Sequence, residues 1–228
     1  VEARAENCVP EVAVLAAALS VRDPRERPPE KAQQADAVHE AFKHPDSDFL
    51  ARLNIWNRYH GDFEKLGSLV QKRRFCHENF LSFPRMREWV YLHTEVVSAL
   101  RELEAGEGDR RGGRRGRRVP GNRETGITSP ILHADISPVL YGAIHRAILS
   151  GYLSNIAAHK EKNQYAGAKN RELTLWPGSV LFGKGAGWIV STEVVRTSRL
   201  FARTAARIDP AWLERLGGPL CKRAYSDA

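Results

Sequence analysis

The residues best suited to chemistry in this chain are its cations. Thirty-five lysines and arginines stand against 27 carboxylates, for a formal net charge of +8. Their distribution is uneven. Residues 146–228 hold thirteen Lys or Arg and six Asp or Glu, so that part carries +7, while residues 1–145 carry +1. A field concentrated on one part of a chain attracts polyanions, although a few excess charges also serve solubility alone. A second group, Arg85, Arg87 and Tyr91, opens a long apolar-periodic stretch. A helix start offers unpaired backbone N–H groups and the positive end of the dipole, both suited to a phosphate. The Lys72-Arg73-Arg74 triplet reads more simply as a solvated helix face.

Catalytic constellations are missing. No GxxxxGK[ST] run cradles a phosphate, and Gly183-Lys184-Gly185 is only a glycine-rich turn. No GxSxG nucleophile motif occurs, and the carboxylates are spread along helices rather than coupled as an acid/base pair. Cys8, Cys76 and Cys221 are far apart and odd in number, which argues against a disulfide framework and for reduced thiols in a cytoplasmic protein. The eight histidines show no zinc spacing, so no metal is assigned. No run reaches the roughly 18 apolar residues of a membrane span, and no membrane partner is expected.

The elements that must position the cations fall into two kinds. From Gly151 to Leu213 short runs rich in β-branched and aromatic residues alternate with Gly, Pro and Asn turns. The runs are Leu153–Ala158, Tyr165–Ala168, Leu173–Trp176, Val180–Phe182, Trp188–Val190 with Val194–Val195, and Leu200–Ile208. About five such strands in this length suit a small antiparallel OB-fold barrel. Before them the apolar period is helical. Helices are expected over Glu11–Ser20, Glu30–Phe42, a stretch capped by Asp46-Ser47-Asp48 and running through Trp56, Leu66–Phe80, Pro84 to about Leu103, and Ser137–Gly151. In the longest of these Met86, Trp89, Val90, Val96, Val97, Leu100 and Leu103 mark a buried stripe, and Trp56 is read as core. Ala105–Gly121 is dominated by Arg and Gly and reads as a mobile loop, either a non-specific RNA contact or an inert insertion. Asp209-Pro210 starts a short final helix.

At this level of detail the chain resembles the helicase-associated region of DEAH-box RNA helicases of the bacterial HrpA type. The resemblance begins with Cys8-Val9-Pro10-Glu11-Val12, Ala16 to Val21 and Asp23-Pro24-Arg25-Glu26-Arg27-Pro28. It continues through Asp46 to Leu50, Leu53-Asn54, Trp56-Asn57, Asn79 to Ser82 and Arg85-Met86-Arg87-Glu88-Trp89. Ile148 to Leu153, Tyr165 to Ala168, Pro177-Gly178-Ser179 with Leu181-Phe182, Trp188, Glu193, Thr197 to Leu200 and Ile208 to Leu213 complete it.

The resemblance implies an α+β fragment: a helical ratchet domain over 1–147, then an OB-fold over 148–228; it leaves out roughly Ala105 to Pro130, where composition alone points to a disordered Arg/Gly loop at 105–130. It also implies a longer parent, an ATP hydrolase whose RecA-like and winged-helix domains would be partners of this part, with ATP and Mg held in the RecA-like pair and no cofactor here. Single-stranded RNA would thread past this part 3′ to 5′. The RNA contacts carried over from the family are Arg85, Arg87 and Glu88 at the start of the ratchet helix. On the OB-fold they are Lys169, Arg171, Lys184, Arg196 and Arg199, with Tyr165 and Trp176 as stacking rings. The alternative expectation is a protein-interaction platform that recruits an activator or a ribosomal partner; a third is a cap that only rigidifies the motor.

Overall fold

The computed structural model describes residues 1–61, 68–111 and 136–218. Helices α1 (Glu2–Ala5), α2 (Val9–Ser20), α3 (Ala32–Glu40), α4 (Asp48–Gly61), α5 (Leu69–Glu78), α6 (Phe83–Arg111) and α7 (Pro138–Gly151) precede a five-stranded sheet, and α8 (Ala211–Gly217) follows it. The strands are β1 (Ile156–Glu161), β2 (Gln164–Gly167), β3 (Arg171–Leu175), β4 (Trp188–Arg196) and β5 (Leu200–Arg207). They close into a barrel in the order β1-β2-β3-β5-β4. The β3–β5 pair is parallel and the other pairs are antiparallel. A helical part followed by a small, closed, mainly antiparallel barrel is therefore the architecture.

Two compact units are present, and they do not follow the linear division at residue 147. One comprises 9–41 and 55–133, the other 1–8, 42–54 and 134–228. The boundary runs through α4, whose first half belongs with the barrel.

In the helical unit, α2 buries Val14, Leu15, Ala17 and Ala18, and α6 buries Met86 and Trp89. The Trp89 indole N–H donates to the Val14 carbonyl at 3.0 Å, so the ring is buried without leaving a polar atom unsatisfied. Trp56 is 3% exposed and packs on Trp89, His60 and His93, with ring centroids 5.2, 4.0 and 4.7 Å away. It is a core residue, as its spacing indicated. Helix α5 starts at a reciprocal capping box: Ser68 accepts from the Gln71 N–H, and the Gln71 side chain accepts from the Ser68 N–H.

Helix α6 extends to Arg111, into the stretch read as a loop. Once a helix is nucleated each added residue contributes a hydrogen bond, and Glu102, Glu104 and Ala105 favour continuation. The apolar stripe ends earlier than expected, because Leu103 is 61% exposed. The remainder of the Arg/Gly segment, from 112, lies outside the described residues, as does Cys221.

In the barrel unit, inward positions alternate large and small, as the taper of a small barrel requires. Tyr165, Leu173, Leu175 and Ile189 meet Ala157, Ala202 and Ala205. Each of the larger aliphatic side chains contributes about 1.5–3 kcal/mol by leaving water. The run Val180-Leu181-Phe182, expected as a strand, is a turn. Its backbone is engaged elsewhere: the Val180 N–H donates to Asp48 Oδ1 at 2.8 Å and the Leu181 N–H to Ser179 Oγ at 3.3 Å. Val180 and Leu181 are buried in the barrel core, which explains why the run is apolar without being extended.

Candidate nucleic-acid interface

Strand direction decides which loops share an end of the barrel. β1, β3 and β5 run one way, β2 and β4 the other. The β2–β3 turn (168–170) and the β4–β5 loop (197–199) therefore lie at one end. The β1–β2 loop and the β3–β4 connection lie at the other. Lys169 sits in the β2–β3 turn with φ 59°, followed by Asn170 at φ 54°. Two left-handed residues in succession make a tight turn, which Asn tolerates and which projects the lysine outward. Arg196 and Arg199 flank the β4–β5 loop, closed by the Thr197 N–H donating to the Arg199 carbonyl at 2.9 Å. Lys169, Arg196 and Arg199 are all exposed, and none has an ion-pair partner among the described residues. These three expected site residues share that end of the barrel.

Others are committed to the fold. Tyr165 is 1% exposed, pointing into the barrel with its ring edge-on to His159 at 5.3 Å; it stacks no base from solvent. The period-two alternation of β2 dictates this, because Tyr165 pairs with Leu173 on the inner face. Arg171 donates to the Ser154 carbonyl at 2.8 Å and the Ala168 carbonyl at 3.2 Å. Lys184 lies at the opposite end and donates to the Pro45 carbonyl at 2.7 Å. In the helical unit, Arg85 reaches the Asp23 carbonyl at 3.0 Å and stabilises the connector after α2. Arg87 and Glu88 are exposed, and Tyr91, one turn after Arg87 and 63% exposed, shares its face.

Trp176 is half-buried and one face of its ring is already occupied. The Arg203 guanidinium lies over it, 4.2 Å from the ring centroid, and Phe201 meets it edge-on at 5.3 Å. The Trp176 N–H donates to the Ala202 carbonyl at 3.0 Å, which fixes its place beside β5. Gly178 leaves room for the ring: a Cβ there would lie 3.0 Å from the indole nitrogen, a tight contact. Arg203 and Phe201 were not singled out from the sequence. Their signal was the alternation of β5, where Phe201 and Arg203 flank the buried Ala202.

A carboxylate ties the barrel together behind this face. Asp48 Oδ2 accepts from the Ser179 hydroxyl at 2.7 Å and the Ala205 N–H at 2.8 Å, and Oδ1 from the Val180 N–H. Asp48 begins α4, where the helix dipole also favours a negative charge. Beside it Ser47 caps the helix by accepting from the Leu50 N–H at 3.2 Å. The Ser47 hydroxyl contacts His145 Nε2 at 2.7 Å, and His145 Nδ1 is 2.7 Å from the Tyr141 carbonyl. A carbonyl only accepts, so Nδ1 carries a proton; it is burial, which disfavours the charged form, that keeps the ring neutral. Burial pushes His145 down to about 3. Arg146 hydrogen-bonds Glu6 in a bidentate pair, which with Arg215 holds the Glu6 carboxyl at about 2. Arg146 also lies over Trp212 at 5.4 Å.

Among the described residues no group of three or more His, Cys, Asp or Glu is placed to hold a metal. No described helix is long and apolar enough to cross a membrane. What the barrel presents is a set of exposed cations and an arginine lying over a tryptophan ring.

Two family models match the chain. The helicase associated domain (HA2), ratchet-like, matches residues 1–82, and the oligonucleotide/oligosaccharide-binding (OB)-fold matches 144–220. Over 227 residues the chain is 38% identical to the ATP-dependent RNA helicase HrpA of Escherichia coli, covering 99% of this chain and 15% of that protein. It is 39% identical over 221 residues to the HrpA homolog of Haemophilus influenzae, covering 96% and 15%. Similarity extends to the pre-mRNA-splicing factor ATP-dependent RNA helicase prp22 of Schizosaccharomyces pombe, 27% over 226 residues, covering 97% and 16%. The chain spans about 15% of the length of the HrpA proteins it matches.

Proposed function

Because this chain belongs to the helicase-associated ratchet and OB-fold region of the HrpA-type RNA helicases, an accessory module of those proteins, we propose that it grips single-stranded RNA without reading its sequence. On this reading the strand passes the exposed end of the barrel while RecA-like domains of a longer protein hydrolyse ATP with Mg and move it. Those domains, and the winged helix, are the module's partners within one polypeptide.

The observation that carries the proposal is the trio Lys169, Arg196 and Arg199, exposed at one end of the barrel and, among the described residues, without a carboxylate partner. Phosphate contacts of this kind set position and affinity but carry no sequence information. That suits a motor, which must hold every step of the strand equally. Arg87, exposed on α6, offers a further cation.

Salt tests the proposal directly. If the trio neutralises three phosphates, log affinity for a 12-nucleotide single strand falls against log salt with a slope of about −2, roughly 0.7 per phosphate. Reversing two charges together (R196E with R199E) lowers that slope by about 1.4 and weakens binding at low salt. Fluorescence anisotropy with a labelled strand reads both. Binding indifferent to salt, or to the double reversal, would falsify the proposal.

A further inference from the structure

We propose that Arg203, backed by Trp176, is a stacking subsite for a single nucleobase; this rests on the RNA-binding reading and goes beyond it by naming a base contact. Part of the argument is geometric. The parallel pairing of β3 with β5 sets Leu175 opposite Ala202, so the next residues, Trp176 and Arg203, fall side by side. The guanidinium then lies over the indole at 4.2 Å. A guanidinium is planar and has two faces. Trp176 lies against one side at stacking distance, and the Arg203 side chain keeps 38% of its surface in solvent. The outer face is a flat, weakly hydrated cation on which a base stacks.

The group is also held in place. Phe201 meets the indole edge-on, with ring centroids 5.3 Å apart, which restrains the backing ring on one side. Glu193, directly opposite Arg203 in the β4–β5 register, lies 3.9 Å from its Nη1 and restrains it laterally. A base that displaced Arg203 to reach Trp176 would forfeit the cation–ring contact; one that adds to the outside keeps it. The stack is therefore base on arginine on tryptophan. Arg196 and Arg199, further along the same hairpin, supply the phosphate contacts that bring the strand to it.

Stacking and phosphate attraction separate when the base is removed. The chain is titrated into a labelled 12-nucleotide oligouridine and into an abasic ribose-phosphate strand of the same length. The expected result is roughly 10-fold tighter binding of the strand that carries bases. R203K keeps the charge and removes the plane. It is expected to bind the two strands within about twofold of each other, with the salt slope unchanged. W176F keeps a ring behind the arginine and is expected to retain most of the preference. Equal binding of both strands by the unaltered chain overturns the subsite while leaving the phosphate grip intact. So does a full preference in R203K. If the unaltered chain binds neither strand, the RNA reading itself has failed and the subsite with it.

Discussion

Replacing Asp48 with alanine should destabilise the barrel unit by about 3–5 kcal/mol, the range for removing one member of a buried charged hydrogen-bond set. Asp48 is 8% exposed and accepts from Ser179, Val180 and Ala205. The substitution strands two backbone N–H groups and a hydroxyl, and water has no ready access to them. The first two donors position the turn whose Val180 and Leu181 are buried in the barrel core; the third lies beside the left-handed Thr204 of β5. In a domain of this size the loss corresponds to a fall of roughly 6–20 °C in the thermal midpoint. D48N is the sharper variant. It keeps the shape but presents an N–H₂ to backbone N–H groups that need an acceptor, so it too should lower the midpoint. Circular dichroism melts would decide, and a D48A midpoint within about 2 °C of the unaltered chain's would show that the network is not what holds the turn.

Acid should weaken the chain well before its carboxylates titrate. Burial is the first cause lowering His145 to about 3 and His60 to about 4, and it also lowers His39, His44 and His93. A histidine in the unfolded chain titrates near about 6.5. The unfolded state therefore takes up protons first, and stability present above that value is lost as pH falls below it. The loss continues down to the folded values. Between pH 7 and pH 5 each of His145 and His60 costs about 2 kcal/mol, so the pair removes about 4. Glu6 acts in a separate, lower window: Arg146 and Arg215 hold it at about 2, so its contribution fades only as pH drops below 4.5. Urea unfolding at a series of pH values measures the slope. In H145Q the drop between pH 7 and pH 5 should shrink by about 2 kcal/mol, whatever the variant's baseline stability. A flat profile over that interval in the unaltered chain would contradict the buried, neutral histidines.

The outline was legible from local pattern. Helical spacing marked α2, α4, α6 and α7, and Ser137 does cap α7 by accepting from the Leu140 N–H at 3.2 Å. Short β-branched runs marked the five strands. Both signals are local, since they depend on which side of one element faces the core. The same logic misled at Val180–Phe182, because an apolar run is equally apolar when it is a buried turn. The four-residue α1 carried no period long enough to see. Tyr165, expected as a stacking ring, is turned inward by its strand, and Arg85, Arg171 and Lys184, expected as RNA contacts, each donate to a backbone carbonyl, a long-range partner that no local pattern reveals.

The sequence alone determined where the charge lies and that a small basic barrel follows a set of helices, because net charge and hydrophobic period survive any packing. Tertiary structure decided which cations remain available. Whether an arginine meets a carbonyl, a carboxylate or solvent depends on chain segments far away in sequence. Arg203 came to lie over Trp176 only through the parallel register of two strands 27 residues apart, and Asp48 came to support the barrel only because its half of α4 folds with strands more than 100 residues downstream. Contacts at that separation follow from closure of the barrel, which no local pattern of side chains encodes.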